Sequence, residues 1–397
     1  MKNILIYSYS LPPKIDGVTY RILMWLEGFK RYRPDYNIVL LTPRSDVADT
    51  VLGYPVYKLH GGHVPKLLTG GNQNNIIINK KRYIFQNYKI LKAVVIKHNI
   101  EFIYVTGPES LFPFSLLKKR FKDIVMTFTY HTHGAMYVKQ YFTEIFNERV
   151  GTVWSNAVTQ LQHYAGLESF DQICSMSSVL NKFVEEKLSF EHQKKIVIPP
   201  IIDRDIFPFK SKVFSKLTSI KCVYVGRIAD EKNIRLLLET LYKFWDATYL
   251  PLEYNIIGNG PKLDDLRDQF SERKSNLIIN FHGAIQREDV HHYYHENDIF
   301  LFPSLTETLG FVTIEAMSCG IPIIAANGGG TTTLIDSESG VLLDEEHWKT
   351  KEICDQIQTL AMDSKKRETM VKAAYQRTEN FSIKKNIEFL DREVFSK

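Results

Sequence analysis

Two glutamates eight residues apart, Glu307 and Glu315, lie in the segment of this chain that predicts the most chemistry. The segment follows a short apolar run ending in Pro303-Ser304, and it has the pattern of a loop that enters a helix at Gly310. A glycine at a helix start lets backbone N–H groups approach an anion, and the helix dipole favours negative charge there. A carboxylate one turn further can accept hydrogen bonds from sugar hydroxyls. Together these features predict a nucleotide-sugar site.

Glu315 stands among apolar residues, and this affects its interpretation. Its neighbours are Phe311, Val312, Ile314, Ala316 and Met317. A carboxylate in such surroundings usually has a partner, because an unpaired buried charge is costly. The alternative is an ordinary buried helix with Glu315 on a solvated face.

The segment Gly226 to Asn233, GRIADEKN, follows a predicted strand and enters an amphipathic helix. Arg227 and Lys232 could therefore converge on one diphosphate, since Arg suits bidentate phosphate contact and Lys acts as a point charge. The alternative is that Arg227 and Lys232 are exposed in the loop and bind no ligand.

Three further patterns in the second half are weaker. Gly258-Asn259-Gly260-Pro261 is only a fragment of GxGxxG without a third glycine, so we expect no NAD site. Gly283 and Ala284 could place backbone groups against a nucleobase edge, and the glycines from Gly328 to Gly330 could supply amides. Asp203-Arg204-Asp205 resembles a metal-holding DxD pair, but its place after two prolines favours a turn.

The first half offers two candidate sites, each after a predicted strand. Asp16-Gly17 can turn tightly and present amides at a helix start, although a plain turn would explain it equally. His131 and His133 lack a nearby third metal ligand in sequence, so contact with a sugar hydroxyl or with developing charge is favoured over a metal site. The alternative that the histidine is structural and caps the strand stays open.

Apolar strand-like runs alternate with amphipathic helical stretches in both halves, which predicts an α/β fold with parallel sheets. We expect two doubly wound Rossmann-like domains that face each other across a cleft, with ligands at the carboxyl ends of the strands. The predicted ranges are 1–200 for an acceptor-side domain, 201–375 for a nucleotide-sugar domain, and 376–397 for a helix that packs back on the first domain. Gly61–Asn79 has the composition of a long loop.

Composition excludes several classes of protein. The 397 residues are 44% hydrophobic and 24% charged, as in ordinary globular proteins. No apolar run reaches the roughly 18 residues that span a bilayer, and the N-terminus has the pattern of a buried strand, not of a signal peptide. Four scattered cysteines, Cys174, Cys222, Cys319 and Cys354, predict neither disulfides nor a zinc site. We expect a cytoplasmic protein.

The charge is asymmetric. Residues 1–200 contain 25 Lys and Arg against 15 Asp and Glu, whereas residues 201–397 contain 25 against 30. Much of the excess lies in 80–97 and 118–122. Solvated helix faces would explain this excess of positive charge. Peripheral docking on an anionic membrane or acceptor is the alternative explanation. No nucleic-acid motif accompanies the charge.

These motifs together resemble a retaining glycosyltransferase of family 4 with GT-B architecture, over nearly the whole length. The resemblance is greatest to the sulfolipid-synthase-like and lipid mannosyltransferase branches. It rests on DGV at Asp16, YHTH at Tyr130, GRIADEKN, IIGNGP at Ile256, FHGAI at Phe281 and the paired glutamates.

The resemblance implies a donor, a site and a mechanism. UDP-sugars are the favoured donors, with GDP-sugars next, and the acceptor is a lipid or saccharide. No metal or other cofactor is implied, and the departing phosphate acts as base. The resemblance assigns catalytic roles to His131, Arg227, Lys232 and Glu307. It assigns donor contacts to Gly17, Gly226, Gly258, Gly283, Ala284, Thr308, Leu309, Gly310, Phe311 and Glu315. Acceptor-side candidates are Asp16, His133 and Tyr137.

The chain departs from the family pattern at three places that matter, one of which is the Gly61–Asn79 loop of the acceptor-side domain, for which the family gives no assignment. Pro200-Ile201-Ile202 replaces a usual Asn-Gly-Val in the linker, and Thr333 stands where a glutamate is common. Two alternatives therefore stay open, a nucleotide-sugar epimerase of the same architecture and an inactive nucleotide-sugar-binding subunit. Intact Arg227, Lys232 and both glutamates argue against each.

Overall fold

The structure is a computed structural model. It describes residues 1–60, 81–107, 111–131, 166–187, 192–272 and 276–397, together with positions 149, 153 and 274. The chain divides into two compact units. Residues 1–199 and 383–397 form the first unit, and residues 200–382 form the second. The long loop predicted at Gly61–Asn79 lies outside the described residues.

The first unit contains an eight-stranded sheet in the order β3-β4-β2-β1-β5-β6-β7-β8. The strands are β1 (Asn3–Ser8), β2 (Asn37–Thr42), β3 (Thr50–Val51), β4 (Tyr54–Lys58), β5 (Phe102–Thr106), β6 (Val125–Tyr130), β7 (Gln172–Ser175) and β8 (Lys194–Val197). All neighbours pair in parallel except β3 with β4. The β3 and β4 pair was not predicted, because Gly53 and Pro55 interrupt a short segment that lacks a continuous apolar run.

Helices cover the sheet because its strands are apolar on both faces, as in buried parallel sheets. Among the described residues, the helices between its strands include α1 (Gly17–Tyr32), α2 (Lys81–Lys97), α3 (Leu111–Arg120) and α4 (Ser178–Lys187), and Leu167–Ser169 forms a short 3-10 turn. Leu5 and Tyr7 of β1 share one core with Leu91 of α2 and Phe114 of α3. Ile6 of β1 is also fully buried, although it points to the opposite face.

The second unit contains a six-stranded sheet, parallel throughout, in the order β11-β10-β9-β12-β13-β14. The strands are β9 (Ile220–Val225), β10 (Leu252–Ile257), β11 (Leu277–Gly283), β12 (Ile299–Phe302), β13 (Ile323–Ala326) and β14 (Val341–Leu343). The helices are α5 (Ile234–Phe244), α6 (Leu263–Phe270), α7 (Val290–Glu296), α8 (Phe311–Cys319), α9 (Thr331–Leu334), α10 (Glu352–Met362) and α11 (Ser364–Thr378). Strand order reverses beside β9, and such a reversal opens a ligand crevice at the carboxyl ends of the strands.

The C-terminal segment returns to the first unit through α12 (Ile383–Phe389) and a π-helical turn, Leu390–Val394. The predicted return at residue 376 is wrong, because that position lies inside α11. Helix α11 stays with the second unit, where it packs on α8 and buries Met370, Val371 and Ala374.

The four cysteines are buried and none forms a disulfide. Among the helices that the structure describes, none is long and apolar enough to cross a bilayer.

Candidate active site

The site of the second unit lies at the carboxyl ends of β9 and β12, which are neighbours in the sheet. The loop after β9 carries Arg227 and Lys232, and the loop after β12 carries Glu307. Hydrogen bonds from side chains to backbone carbonyls join these loops. The Thr306 hydroxyl donates to the carbonyl of Glu231 at 3.1 Å, and the Asn233 side-chain amide donates to the carbonyl of Pro303 at 3.4 Å.

The central contact of this site is an ion pair between Lys232 and Glu307. The two side chains are only 14% and 17% exposed, although 75 residues separate them in the chain. Each holds the other in place at the point where the two loops meet. A cation and a carboxylate side by side can serve a phosphate and a sugar hydroxyl respectively.

Arg227 has a different environment from Lys232. Its guanidinium pairs with Glu231 at 2.8 Å and its side chain is 49% exposed. The Tyr224 hydroxyl donates to the Arg227 carbonyl at 2.9 Å and so holds the backbone of the loop. The predicted convergence of both cations on one diphosphate stays a prediction.

Helix α8 begins at the same edge, immediately after the Glu307 loop. Its N-cap is Gly310 with a φ of +80°, a conformation that glycine adopts without strain, and no described side chain caps the helix. Thr308 and Leu309 precede this N-cap, and Phe311 is the first helical residue. The helix dipole favours negative charge at such an N-terminus, and the contact of its amides with a ligand stays a prediction.

Glu315 has the partner that its apolar surroundings predicted. Its carboxylate, 7% exposed, accepts a hydrogen bond from the Arg287 guanidinium at 2.9 Å. Burial raises the pKa of Glu315, and the charge of Arg287 opposes that rise. The alternative of a solvated face for Glu315 is wrong.

Arg287 was missed by sequence reasoning. It begins the 3-10 turn Arg287–Asp289, and its guanidinium also lies over the ring of Phe207 at 4.8 Å. Nothing in the local pattern distinguishes it from a solvated arginine at a helix start. Only the packing of α7 against α8 brings it to Glu315.

The glycines of the second unit let loops approach closely. Gly258, with a φ of +142°, lies so near Gly226 that a Cβ atom would overlap the Gly226 carbonyl. The Gly258 amide donates to the carbonyl of Gly283 at 2.7 Å, next to Ala284. These contacts align the loops after β9, β10 and β11.

The triple glycine has a role that sequence reasoning did not predict. A Cβ at Gly329 or Gly330 would overlap the carbonyl of Glu307 or Thr308, and the Gly330 amide donates to Glu307 at 2.5 Å. The glycines therefore hold the backbone of the Glu307 loop. Thr333, where a carboxylate was expected, donates its hydroxyl to Gly330 at 2.6 Å.

In the first unit, Asp16 is the N-cap of α1. Its carboxylate accepts hydrogen bonds from the Thr19 amide at 2.8 Å and the Ser10 hydroxyl at 2.8 Å, and it pairs with Lys14 at 2.8 Å. Gly17 follows as the first helical residue. The carboxylate therefore stabilises the start of α1, and its contact with the acceptor substrate stays a prediction.

His131 follows β6 at the same edge of the first sheet. The residue is partly exposed, but its Nε2 atom is buried without a hydrogen-bond partner in the described part of the chain. Burial and the positive charge of Arg21 lower the pKa of His131 to about 3, while Asp16 opposes this. The imidazole is therefore neutral at physiological pH. His133 and Tyr137 lie outside the described residues.

The described residues contain no group of three His, Cys, Asp or Glu side chains that could hold a metal ion. Asp203-Arg204-Asp205 forms a turn, as predicted, in which the Asp205 amide donates to the Asp203 carboxylate at 3.0 Å.

Comparison with known proteins agrees with this architecture. The structure of HepE from Anabaena in complex with UDP and glucose superposes with a TM-score of 0.71, at 16% identity and with 100% of both chains covered. The two parallel α/β units therefore have the GT-B fold. Residues 205–377 match the family described as Glycosyl transferases group 1, so the chain carries a glycosyltransferase group 1 domain.

Two curated relatives extend the similarity beyond that domain. Sulfoquinovosyl transferase SQD2 of Arabidopsis thaliana is 27% identical over 71% of this chain and 54% of its own length. Alpha-monoglucosyldiacylglycerol synthase of Acholeplasma laidlawii is 24% identical over 80% of this chain and 79% of its own length. This chain thus spans about half of the first relative and most of the second.

Proposed function

We propose that this protein is a retaining, metal-independent glycosyltransferase of family 4 that transfers a sugar from a nucleoside-diphosphate sugar to a lipid or saccharide acceptor. The observation that carries the proposal is the Lys232–Glu307 pair in the loops that lead to the N-terminus of α8, where Gly310 is the N-cap. A diphosphate needs positive charge where the leaving group departs, and a hexose needs hydrogen-bond acceptors for its hydroxyls. The loops after β9 and β12 supply the positive charge through Lys232 and the acceptor through Glu307.

In this proposal the leaving diphosphate is stabilised by Lys232, by Arg227 and by the amide donors of α8. Fixed positive charge that needs no reorganisation stabilises a developing anion more than mobile water does. These groups take the place of a metal ion. The departing phosphate itself takes the proton of the acceptor, which attacks on the same face, and no protein nucleophile is assigned.

The two glutamates divide the recognition of the donor. Glu307 accepts hydrogen bonds from the transferred sugar, and Glu315 accepts them from the ribose. Arg287 supports the second role because its charge keeps the Glu315 carboxylate ionised and oriented. His131, neutral at physiological pH, is assigned to the neighbourhood of the anomeric carbon, where it can donate or accept a hydrogen bond.

The names of similar proteins support a UDP-sugar donor and a lipid acceptor. HepE was solved with UDP and glucose, and one relative is named for the synthesis of a monoglucosyldiacylglycerol. A UDP-sugar is therefore the first donor to test, with a GDP-sugar next. Diacylglycerol is the first acceptor to test.

The donor is identified by a thermal-shift series with UDP, GDP, ADP and their sugar conjugates. A ligand at about 100 times its dissociation constant stabilises the folded protein by about 2.7 kcal/mol if it binds only that state. A thermal shift with one nucleotide identifies the base of the donor. The absence of any shift contradicts the proposal, and a shift without transfer to any acceptor favours the inactive-subunit alternative.

The role of the ion pair is tested with Lys232→Ala and Glu307→Ala. Lys232→Ala is expected to remove about 2–4 kcal/mol of transition-state stabilisation from kcat/KM. Glu307→Ala is expected to reduce turnover far more than affinity for free nucleotide. The control is Glu239→Ala, at an exposed position of α5. If Glu307→Ala reduces turnover and nucleotide affinity equally, Glu307 does not bind the transferred sugar.

A further inference from the structure

The short helix α9 supports the segment that carries Glu307. It begins after Gly330, whose amide donates to the Glu307 carbonyl at 2.5 Å. At the other end of α9, the side chain of Leu334 lies against Gly310, because a Cβ atom on Gly310 would be 3.7 Å from Leu334 Cδ1. Both ends of α9 therefore contact the segment from Glu307 to Gly310, which leads into α8.

Hydrogen bonds within α9 join its two ends. The amide and the hydroxyl of Thr333 both donate to the Gly330 carbonyl, at 3.0 Å and 2.6 Å, and the Ile335 amide donates to the Thr331 carbonyl at 3.1 Å. A helix of one turn has little stability of its own, because its formation fixes several backbone dihedral angles for few hydrogen bonds. Contacts from other elements must therefore hold α9 in place.

Arg377 of α11 supplies such a contact. Its Nε atom donates to the Leu334 carbonyl at 2.9 Å, and its Nη1 atom pairs with the carboxylate of Asp336. Asp336 also accepts hydrogen bonds from the amide and the hydroxyl of Ser339, at 3.0 Å and 2.7 Å. A guanidinium is planar and presents its donors in a fixed fork, so these two contacts determine its orientation as well as its position. Arg377 therefore holds both the last residue of α9 and the turn that follows it.

Helix α11 is a firm base for Arg377. The helix packs on α8 and buries Met370, Val371 and Ala374, and Arg377 lies one turn after Ala374. Its apolar side thus contacts α8, while Arg377 contacts α9. The Glu307 segment leads into α8 and is bonded to the start of α9, so the position of this segment depends on both contacts.

A contribution to stability alone is the alternative role for Arg377. The side chains of Arg377 and Asp336 are 35% and 45% exposed. Ion pairs that water reaches contribute little to the free energy of unfolding, because water screens the charges and the side chains lose conformational freedom. The arginine should therefore affect the position of the Leu334 carbonyl more than the stability of the fold.

We propose that Arg377 is a positioning residue for Glu307 and acts through α9. It holds Leu334, so that the Gly330 amide stays bonded to the Glu307 carbonyl and the Glu307 carboxylate stays beside Lys232. This inference rests on the proposed function, in which Glu307 binds the transferred sugar. A displacement of about 1 Å in a site of this kind reduces turnover by about 100-fold, even when the substituted residue is far from the chemistry.

The first test is Arg377→Met in the full chain, which removes both polar contacts and keeps most of the apolar stem. With a UDP-sugar as donor, kcat is expected to fall by about 10- to 100-fold. The dissociation constant of UDP should change by less than about twofold, because Glu307 is assigned to the sugar and not to the nucleotide. The matched control is Lys372→Met, which removes a different ion pair of α11, that with Glu368 at 2.7 Å, and should retain kcat.

The geometry is measured separately by hydrogen exchange of the Gly330 amide. This amide should exchange faster in Arg377→Met, because its bond to the Glu307 carbonyl opens more often. Arg377→Lys keeps a cation beside Asp336, so its kcat and its exchange rate should lie between those of the wild-type protein and of Arg377→Met. A loss of kcat without faster exchange at Gly330 would overturn the proposal, and so would an equal weakening of UDP binding.

A double-mutant cycle tests whether Arg377 acts through Glu307. In the Glu307→Ala background, Arg377→Met should reduce kcat by less than about twofold further, because the carboxylate that it positions is already absent. An equal fold-loss of kcat in both backgrounds would show that the two residues act independently and would overturn the proposal. Urea unfolding of each variant shows whether a loss of kcat comes from unfolding.

Failure of this inference is distinguishable from failure of the proposed function. If the wild-type protein binds UDP and transfers a sugar while Arg377→Met behaves like Lys372→Met, only the role of Arg377 is wrong. If the wild-type protein neither binds a nucleotide nor transfers a sugar, the proposed function fails. Faster exchange of the Gly330 amide in Arg377→Met would then still support the action of Arg377 on the Glu307 segment, and unchanged exchange would overturn it.

Discussion

At the scale of single residues, the glutamates Glu307 and Glu315 differ in burial and in their partners. Glu307 pairs with Lys232 at a partly exposed junction of two loops, whereas Glu315 pairs with Arg287 in a buried setting. A buried ion pair contributes little net stability, but removal of one partner leaves an uncompensated charge and is costly. The Arg287–Glu315 pair is therefore the better probe of whether a paired carboxylate is needed at this site.

We expect Arg287→Met to lower the free energy of unfolding by about 3 kcal/mol, because it leaves Glu315 buried without its cation. Burial already raises the pKa of Glu315, and loss of the arginine raises that pKa further. Nucleotide affinity should then fall as pH decreases and the carboxyl takes up a proton. Urea unfolding and nucleotide titration at several pH values measure both effects.

The double variant Arg287→Met with Glu315→Gln is the control for this pair. It should be less destabilised than Arg287→Met, because no buried charge remains. Equal destabilisation of the two variants would show that the arginine acts through its packing on Phe207 alone.

His131 predicts a pH dependence of stability. Its folded-state pKa of about 3 lies below the ordinary value, so between these values the unfolded chain binds a proton that the folded chain excludes. The free energy of unfolding should therefore fall as pH drops below about 6.5, by about 1.4 kcal/mol per pH unit from this residue. In His131→Asn this part of the slope should be absent, as measured by urea unfolding between neutral and mildly acidic pH.

The exposed His192 supplies the matched variant. His192→Asn should retain the slope of the wild-type protein. An unchanged slope in His131→Asn would show that the imidazole is accessible to protons in the folded state.

At the scale of elements, the C-terminal segment is fastened to the first unit by polar contacts as well as by its apolar side. Asp391 accepts hydrogen bonds from Lys2, Tyr36 and the Arg33 guanidinium, the last at 2.9 Å. Asn386 joins α12 to α1 by accepting from the Trp25 indole at 2.7 Å. Burial opposes ionisation of Asp391, but the hydrogen bonds prevail and hold its pKa at about 2.

We expect Asp391→Asn to lower the stability of the first unit by about 1–2 kcal/mol at neutral pH, after allowance for partial exposure. A depressed carboxyl pKa contributes stability above the unfolded pKa and loses it as pH falls through the folded value. The difference between variant and wild type should therefore shrink from about pH 4 towards pH 2. Amide exchange of α12, compared with that of α5, measures the effect. Unchanged exchange in α12 would contradict the role of Asp391.

At the scale of the whole molecule, the chain crosses between the two units twice, at Pro199-Pro200 and at Ser382-Ile383. The second crossing returns apolar side chains to the first unit, where Ile387, Leu390 and Val394 are buried. Gly28 of α1 permits this approach, because a Cβ there would come within 2.6 Å of the Ile387 side chain.

Truncation after Ser382 is expected to destabilise the first unit and leave the second unit able to bind its nucleotide. The truncated first unit loses several buried apolar side chains, each worth about 1.5–3 kcal/mol of burial. Calorimetry should show a lowered transition for the first unit and a retained nucleotide-induced shift for the second. Removal of Ser396-Lys397 alone is the control. Loss of the nucleotide shift after truncation would contradict the assignment of donor binding to the second unit.

The amino-acid sequence by itself determined where most strands lie and which residues follow them. Continuous apolar runs predicted strands in both halves, and polar or glycine residues after them, such as Arg227 and Glu307, marked the sheet edge. These signals are local, because a strand buried on both faces must be apolar along its length. The edge pair β3 and β4 gave no such signal, since it is short and carries Pro55.

Only the tertiary structure decided which residues meet. Lys232 reaches Glu307 because β9 and β12 are neighbours, and Arg287 reaches Glu315 because α7 packs on α8. The C-terminal segment joins the first unit for a similar reason, through contacts with residues more than 350 positions away. Partners so distant in sequence depend on strand order and helix packing, which no local pattern encodes.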